Sequence, residues 1–401
     1  MSGTLERVGE LERRYVGEVL DTRFRTSQGS LMTSRLEARF AERFGCRFAI
    51  AHVNGTVTMH AVLEAWRIGP GDEVIVPPLT MSSTAMAVLE ANATPVFADV
   101  DAGTFELDPV SVASRVSDRT RAIITVALYG LAPDMDPILD LARSRGIRVL
   151  EDNAQAFLST YKGHLVGTLG DAASFSFQSS KHMTSGEGGM VTTDDPELAN
   201  EVRRVQSLGY AGVSAGQGKI TKKDIQDPAY ARHVSLGWNY RMPELCSAVA
   251  LAQLERLEAL VAVRTHAARC YAEALEGTGC SWLRPQAVPA DRTHSYWTWV
   301  ASLEHPDLSW HEFRDRFAEL GGEGIYAAWR LSHLEPMFGA AAFRGREKLI
   351  APERLAEYGP GLCPVAERIQ PRLLQFKTDL WEAGSAEREA EVLARTIRSF
   401  G

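Results

Sequence analysis

A lysine that acts as a nucleophile near neutral pH must be withdrawn from water, and a ring cofactor that gathers electrons needs a carboxylate to keep its nitrogen protonated. Two stretches offer that pair. Lys181 lies within Ser176-Phe-Gln-Ser-Ser-Lys-His-Met-Thr-Ser-Gly-Glu-Gly-Gly189, and about thirty residues earlier an apolar run stops at Glu151-Asp152 and continues Asn-Ala-Gln155. A buried amine with a lowered pKa can condense with an aldehyde such as pyridoxal phosphate and, once displaced, can carry a proton between substrate and cofactor carbons. Asp152 can face the ring nitrogen or simply cap the turn after its strand. Gln155 can reach the ring oxygen or make a polar loop contact. The plainer reading of any single lysine is a solvated loop residue, so the weight rests on the two stretches together.

A phosphate needs a third site. Asn54-Gly55-Thr56-Val57 joins a strand ending at Val53 to a helix beginning near Met59. Free N–H groups at a helix N-terminus accept phosphate without a lysine, although an ordinary N-cap has the same sequence. Ser176 is a second candidate donor. Gly218-Lys219 is not a phosphate loop, because Val213 stands where the first glycine should be and Ile220 replaces the hydroxyl residue. No G-x-G-x-x-G, H-E-x-x-H or clustered His/Cys set occurs, so neither a dinucleotide nor a metal is expected.

These residues must be carried by strand ends. Runs at 47–53, 73–76, 94–100, 121–128, 147–152, 173–177 and 190–193 read as buried, mostly parallel strands, and amphipathic stretches at 59–66, 82–91, 109–116 and 137–145 read as the helices between them. That alternation predicts an α/β fold whose sheet is covered on both faces and collects ligands at the carboxyl ends of its strands. After Met242-Pro243 the leucines at 251, 254, 257 and 260 predict one long helix reaching Leu275. A strand over 294–303 and helices over 310–319 and 386–399 predict a smaller α+β domain. The domains are expected to be 1–250, holding the cofactor, and 251–401. The polar, Gly-rich stretch 212–227 is expected to be a mobile loop.

Composition narrows the function. The 401 residues carry a net charge of −8 and are 45% hydrophobic. No basic stripe appears, which argues against nucleic acid as a partner. The five cysteines are scattered without a C-x-x-C pair, the first residues contain no apolar signal core, and no run approaches a membrane span. A cytoplasmic enzyme acting on small molecules is the expectation.

The motifs resemble, in order and over nearly the whole length, the DegT/StrS sugar aminotransferases, which are fold-type-I pyridoxal-phosphate enzymes. Besides the lysine stretch, they are Asn54-Gly-Thr56, Gly69 to Pro77, Pro95 to Asp101, Leu128-Tyr-Gly130, Glu151 to Gln155, Gly170 to Phe177 and Gly237-Trp-Asn-Tyr-Arg-Met242. The resemblance implies a large domain with a mostly parallel seven-stranded sheet. It implies Lys181 as the Schiff-base lysine, Asp152 on the ring nitrogen, Gln155 near the ring, and Gly55, Thr56, Val57 and Ser176 around the phosphate. It also implies a homodimer in which Asn239 reaches the phosphate of the other subunit. Arg241 is a candidate for a donor carboxylate or a structural salt bridge. Tyr326, Trp329 and His333 fall where the family places acceptor-facing loops, or where packing of the small domain would put them.

Two departures stand out. Met81 occupies the position of a stacking aromatic, and Ala127 and Leu131 replace a histidine and a glutamine, making that wall more apolar. The lysine stretch is most similar to the keto-cyclitol aminotransferases and 3-amino-5-hydroxybenzoate synthases. This implies glutamate or glutamine as donor, a cyclic ketone as acceptor, interchange of pyridoxal and pyridoxamine phosphate, and a role in antibiotic biosynthesis. A dehydratase of the same fold is the nearest rival, but such relatives carry histidine where Lys181 stands. A non-catalytic regulator is the other. A DNA-binding regulator would need a further domain, which the segment before Leu36 cannot hold.

Overall fold

Strands buried on both faces must be apolar at consecutive positions, with successive side chains sent to opposite sides. Val74 and Val76 enter one core and Ile75 the other; Ala122 and Ile124 oppose Ile123 in the same way, as Leu150 opposes Val149. The computed structural model describes residues 5–24, 31–217, 220–340, 342–344 and 350–401. The rejected pair Gly218-Lys219 lies outside the described residues.

The large sheet is built from β1 (Phe48–His52), β2 (Glu73–Val76), β3 (Thr94–Phe97), β4 (Thr120–Val126) and β5 (Arg148–Asp152). After a two-stranded hairpin of β6 (Thr160–Tyr161) and β7 (His164–Leu165), it is completed by β8 (Ala172–Ser176) and β9 (Gly189–Thr193). Its order is β1-β9-β8-β5-β4-β2-β3. Only β9 runs against the rest. One face packs against helices Gly55–Ala65, Ser83–Glu90 and Pro196–Gln206, and the other against Pro109–Arg115 and Met135–Arg145. At the β1-β9-β8 end a third core joins Phe175, Phe177 and Met190 to helices Met32–Phe44 and Glu244–Leu254.

The second sheet, β10 (Leu283–Pro285), β11 (Thr298–Leu303), β12 (Ile325–Ala327) and β13 (Leu373–Lys377), is antiparallel in the order β10-β11-β13-β12. Helices Trp310–Glu319 and Ser385–Arg398 pack on it. The single long helix expected from the leucine spacing is two. At the break Arg256 leaves the helical conformation, and its guanidinium meets both oxygens of buried Glu12 at 2.8 and 2.9 Å. A boundary at 250/251 would cut helix Glu244–Leu254, whereas helix Leu257–Thr278 passes from one core to the other. Leu257 and Leu260 belong to the core under the large sheet, and Tyr271 and Leu275 to that under the small one. Within 212–227 a short helix, Lys222–Gln226, replaces continuous loop, because Thr221 and Asp224 form a reciprocal capping box.

Glu151 shows how the sheet sets the position of β5. Its buried carboxylate accepts backbone N–H bonds from Gly167 (2.8 Å), Leu169 (2.7 Å) and Gly170 (2.8 Å), fastening the turn before β8 beneath its neighbour Asp152. Charge-assisted bonds of this kind contribute about 1.5–3 kcal/mol each, and their loss leaves buried donors unpaired. Glu151→Ala is expected to lower unfolding stability by about 3 kcal/mol or more in chemical denaturation, while Glu151→Gln, which keeps acceptor oxygen, loses less.

Candidate active site

Five strand ends meet at one cavity of about 580 Å³. Asn54, Gly55 and Thr56 follow β1, Thr80 and Met81 follow β2, Val126 closes β4, Asp152, Ala154 and Gln155 end or follow β5, and Ser176 closes β8. Lys181 and Glu187 enter from the turn between β8 and β9, and Trp297 and Trp329 come from the second lobe. The sequence expectation that ligands gather at carboxyl strand ends thus matches where the cavity lies.

Lys181 is only 9% exposed. Its Nζ rests 4.4 Å from the centroid of the Trp297 ring. Burial, aided by the charge of Arg264, lowers the amine's pKa to about 8, and the carboxylates of Asp152 and Glu187 oppose that shift without cancelling it. Several groups hold the turn. Trp297 Nε1 donates to the Ser180 carbonyl at 2.9 Å, Arg7 donates to the carbonyls of Ser179 and Lys181, and His182 Nε2 donates to the Ser295 carbonyl at 2.9 Å.

Asp152 is buried, and desolvation pushes its pKa up against the pull of the Ala154 N–H, the Thr84 hydroxyl and Lys181. Its Oδ1 accepts from Ala154 N at 3.1 Å and its Oδ2 from Thr84 Oγ1 at 2.9 Å. A carboxylate has about four acceptor positions. Spare capacity on a destabilised buried anion at a cavity wall suits a cationic ring N–H, which would supply the missing charge. Gln155 has its orientation set by Tyr129, whose backbone N–H donates to Oε1 at 2.8 Å, so its amide N–H₂ is left for the cavity. Tyr129 has a left-handed φ of 61°.

The residues expected at the phosphate do not all reach the cavity. Asn54 caps helix Gly55–Ala65 through Oδ1, which takes the Val57 N–H at 3.0 Å. Val57 does not line the cavity; Gly55 and Thr56 do, and their N–H groups lie in the helix's first turn. A Cβ on Gly55 would stand 2.8 Å from the Ser176 Cβ, so only glycine lets the helix start and the β8 end share this corner. An amine, a carboxylate with spare acceptors, a side-chain amide and a helix N-terminus beside a serine fit pyridoxal phosphate group by group.

Other expected residues lie elsewhere. Met81 lines the cavity but is 49% exposed. Asn239 is exposed and lies outside the cavity wall, as does Arg241, whose buried Nη1 has no partner among the described residues. Tyr326 borders a second cavity of about 550 Å³, and Ser180, Trp297 and Trp329 line both cavities. His333 lines neither of these cavities: it is buried against Phe97, with Nε2 3.0 Å from Glu367 Oε1, because the loop after β12 folds back under the large sheet. Sequence reasoning missed Thr84, Trp297, Arg264 and Arg7. Of these, only Thr84 carried a local signal, in the Ser82-Ser-Thr84 run that opens the helix after Met81.

An α/β sheet with a buried lysine and carboxylate at its strand ends defines a class of cofactor-dependent group-transfer enzymes. Residues 6–373 match the model of the DegT/DnrJ/EryC1/StrS aminotransferase family, and the chain belongs to that family. It is an aminotransferase of the pyridoxal-phosphate-dependent class. The chain is 40% identical over 292 residues to GDP-perosamine synthase of Caulobacter vibrioides, covering 73% of this chain and 74% of that protein. It is 34% identical over 358 residues to L-glutamine:2-deoxy-scyllo-inosose aminotransferase of Streptomyces kanamyceticus, covering 85% and 80%. The crystal structure of 3-amino-5-hydroxybenzoic acid synthase superposes with a TM-score of 0.83 at 28% identity, covering 98% of this chain and 97% of that one.

The lowered pKa has a direct consequence. At pH 7 an amine with a pKa of about 8 is roughly one-tenth neutral, against about one part in three thousand for an ordinary lysine. Acylation of Lys181 in cofactor-free protein, followed by mass spectrometry, is expected to be half-maximal near pH 8 and to fall as the pH drops below it.

Proposed function

We propose that this enzyme moves an amino group from glutamate or glutamine to a cyclic ketone, a keto-cyclitol or keto-sugar, in the biosynthesis of an antibiotic-type natural product. The observation that carries the transfer chemistry is the buried amine of Lys181 in one cavity with the carboxylate of Asp152. Identity to the inosose aminotransferase over most of both chains, together with the likeness to 3-amino-5-hydroxybenzoic acid synthase, supports a cyclic acceptor.

When bound, pyridoxal phosphate supplies an aldehyde carbon that exchanges amino groups and a protonated ring that withdraws electrons from the carbon losing its proton. Lys181 would hold the aldehyde carbon. Its amine is the group placed to take a proton from one carbon and return it to another, and its partial neutrality near pH 8 suits that exchange. Asp152 would keep the ring nitrogen protonated, with Thr84 holding the carboxylate in place through its hydroxyl. Gln155 would donate its amide to the ring oxygen. Gly55, Thr56 and Ser176 would receive the phosphate, and Met81 would cover the open ring face.

Tyr326 and Trp329 border the second cavity and offer aromatic surface to a cyclic acceptor. Asn239 and Arg241 would serve a cavity in a second copy of the chain. Val234 and Leu236 are exposed apolar residues just before them, which supports a homodimer built on this segment. Lysine at 181 disfavours the dehydratase reading.

Turnover with a panel of cyclic ketones and with glutamate or glutamine, read by mass spectrometry, tests the reading. An aminated keto-cyclitol or keto-sugar is the expected product, and its absence across the panel with both donors contradicts the proposal. Lys181→Ala is expected to lose transamination by about 10³-fold or more. Asp152→Asn is expected to retain the cofactor yet lose roughly 10²–10³-fold in rate, since an amide cannot balance the ring's positive charge.

A further inference from the structure

Arg264 is 1% exposed; among the described residues no carboxylate forms an ion pair with it, and Asp379, which pairs with Arg7 at 4.0 Å, acts on it only from a distance while Arg7 opposes its charge. Buried cations are ordinarily paired with an anion. Here the donors go to neutral oxygens instead. Nη2 donates to the carbonyls of Ser180 at 2.7 Å and Lys181 at 3.2 Å, and Nη1 donates to the carbonyl of Trp297 at 2.7 Å and to Thr378 Oγ1 at 3.2 Å. Trp297 closes the circuit, because its Nε1 donates to the same Ser180 carbonyl and its ring lies under the Lys181 amine.

We propose that Arg264 is a positioning residue for the reactive amine: one guanidinium fixes both the turn that carries Lys181 and the backbone of the tryptophan on which that amine rests. The proposal rests on the reading of Lys181 as the reactive amine. A planar fork reaches four acceptors spread over two lobes, which a lysine at 264 could not do. Helix Leu257–Thr278 supplies the fork, the residue before β11 supplies Trp297, and the residue after β13 supplies Thr378. The second lobe therefore grips the lysine turn directly. Its fixed positive charge also opposes a second one on Lys181, in the direction of the amine's lowered pKa.

The test measures Lys181 acylation against pH in cofactor-free protein, for wild type and Arg264→Gln, with circular dichroism to show that each is folded. Removing the charge and the anchor is expected to raise the midpoint by at least half a pH unit, so reactivity at pH 7 falls about threefold or more. A folded Arg264→Gln protein with an unchanged midpoint overturns the role of Arg264. A wild-type midpoint near 10.5 instead overturns the reading of Lys181, so the two failures are distinguishable. Should Arg264→Gln not fold, Arg264→Lys, which cannot reach the four acceptors, is read in the same way. A raised midpoint supports the proposal, and an unchanged one contradicts it.

Discussion

Taking an ammonium group out of water is costly, and the fold meets that cost by letting Lys181 lose its proton more readily while surrounding its backbone with donors. Much of the architecture serves this one arrangement. Strand β5 ends in Asp152 because Glu151, one residue earlier, is tied by three backbone N–H bonds to the turn before β8. Strand β8 brings the chain to Ser176, and the turn after it bends back under Trp297. Amine and carboxylate then face one cavity without forming an ion pair that would have to be broken before a cofactor could enter.

Asp152 and Lys181 are complementary in their instability. Burial raises the pKa of one and lowers that of the other, and each partly restrains the shift in the other. A cationic ring between them would relieve the carboxylate, and an aldehyde would consume the neutral amine. Group transfer then needs no large change in the protein's own charges. Thr84 and Gln155 would act earlier than chemistry, the first through its bond to the Asp152 oxygen and the second, held by the Tyr129 N–H, through its amide N–H₂.

Much of this was legible in the chain. All seven strands of the large sheet were visible as apolar runs, because burial on both faces leaves no alternation to confuse them, and Lys181 and Asp152 stood out through their neighbours. What escaped was set by long-range packing. Arg7, Arg264 and Trp297 are distant in sequence and meet only because the second lobe closes over the lysine turn. Val57 was expected at the phosphate from its place in the turn, and that its N–H donates to Asn54 Oδ1 is visible only in the folded chain. His333 looked like a pocket residue, yet its loop folds inward to Glu367. The helix break at Arg256 was hidden because the leucine spacing runs straight through it, and only the pairing with Glu12 marks it.

The identity of the amine that captures the cofactor decides the chemistry. Borohydride reduction of the protein loaded with pyridoxal phosphate, followed by peptide mapping, answers that in one measurement. A stable adduct on the peptide containing Lys181 is expected. An adduct on another lysine alone, or none despite saturation with cofactor, would contradict it.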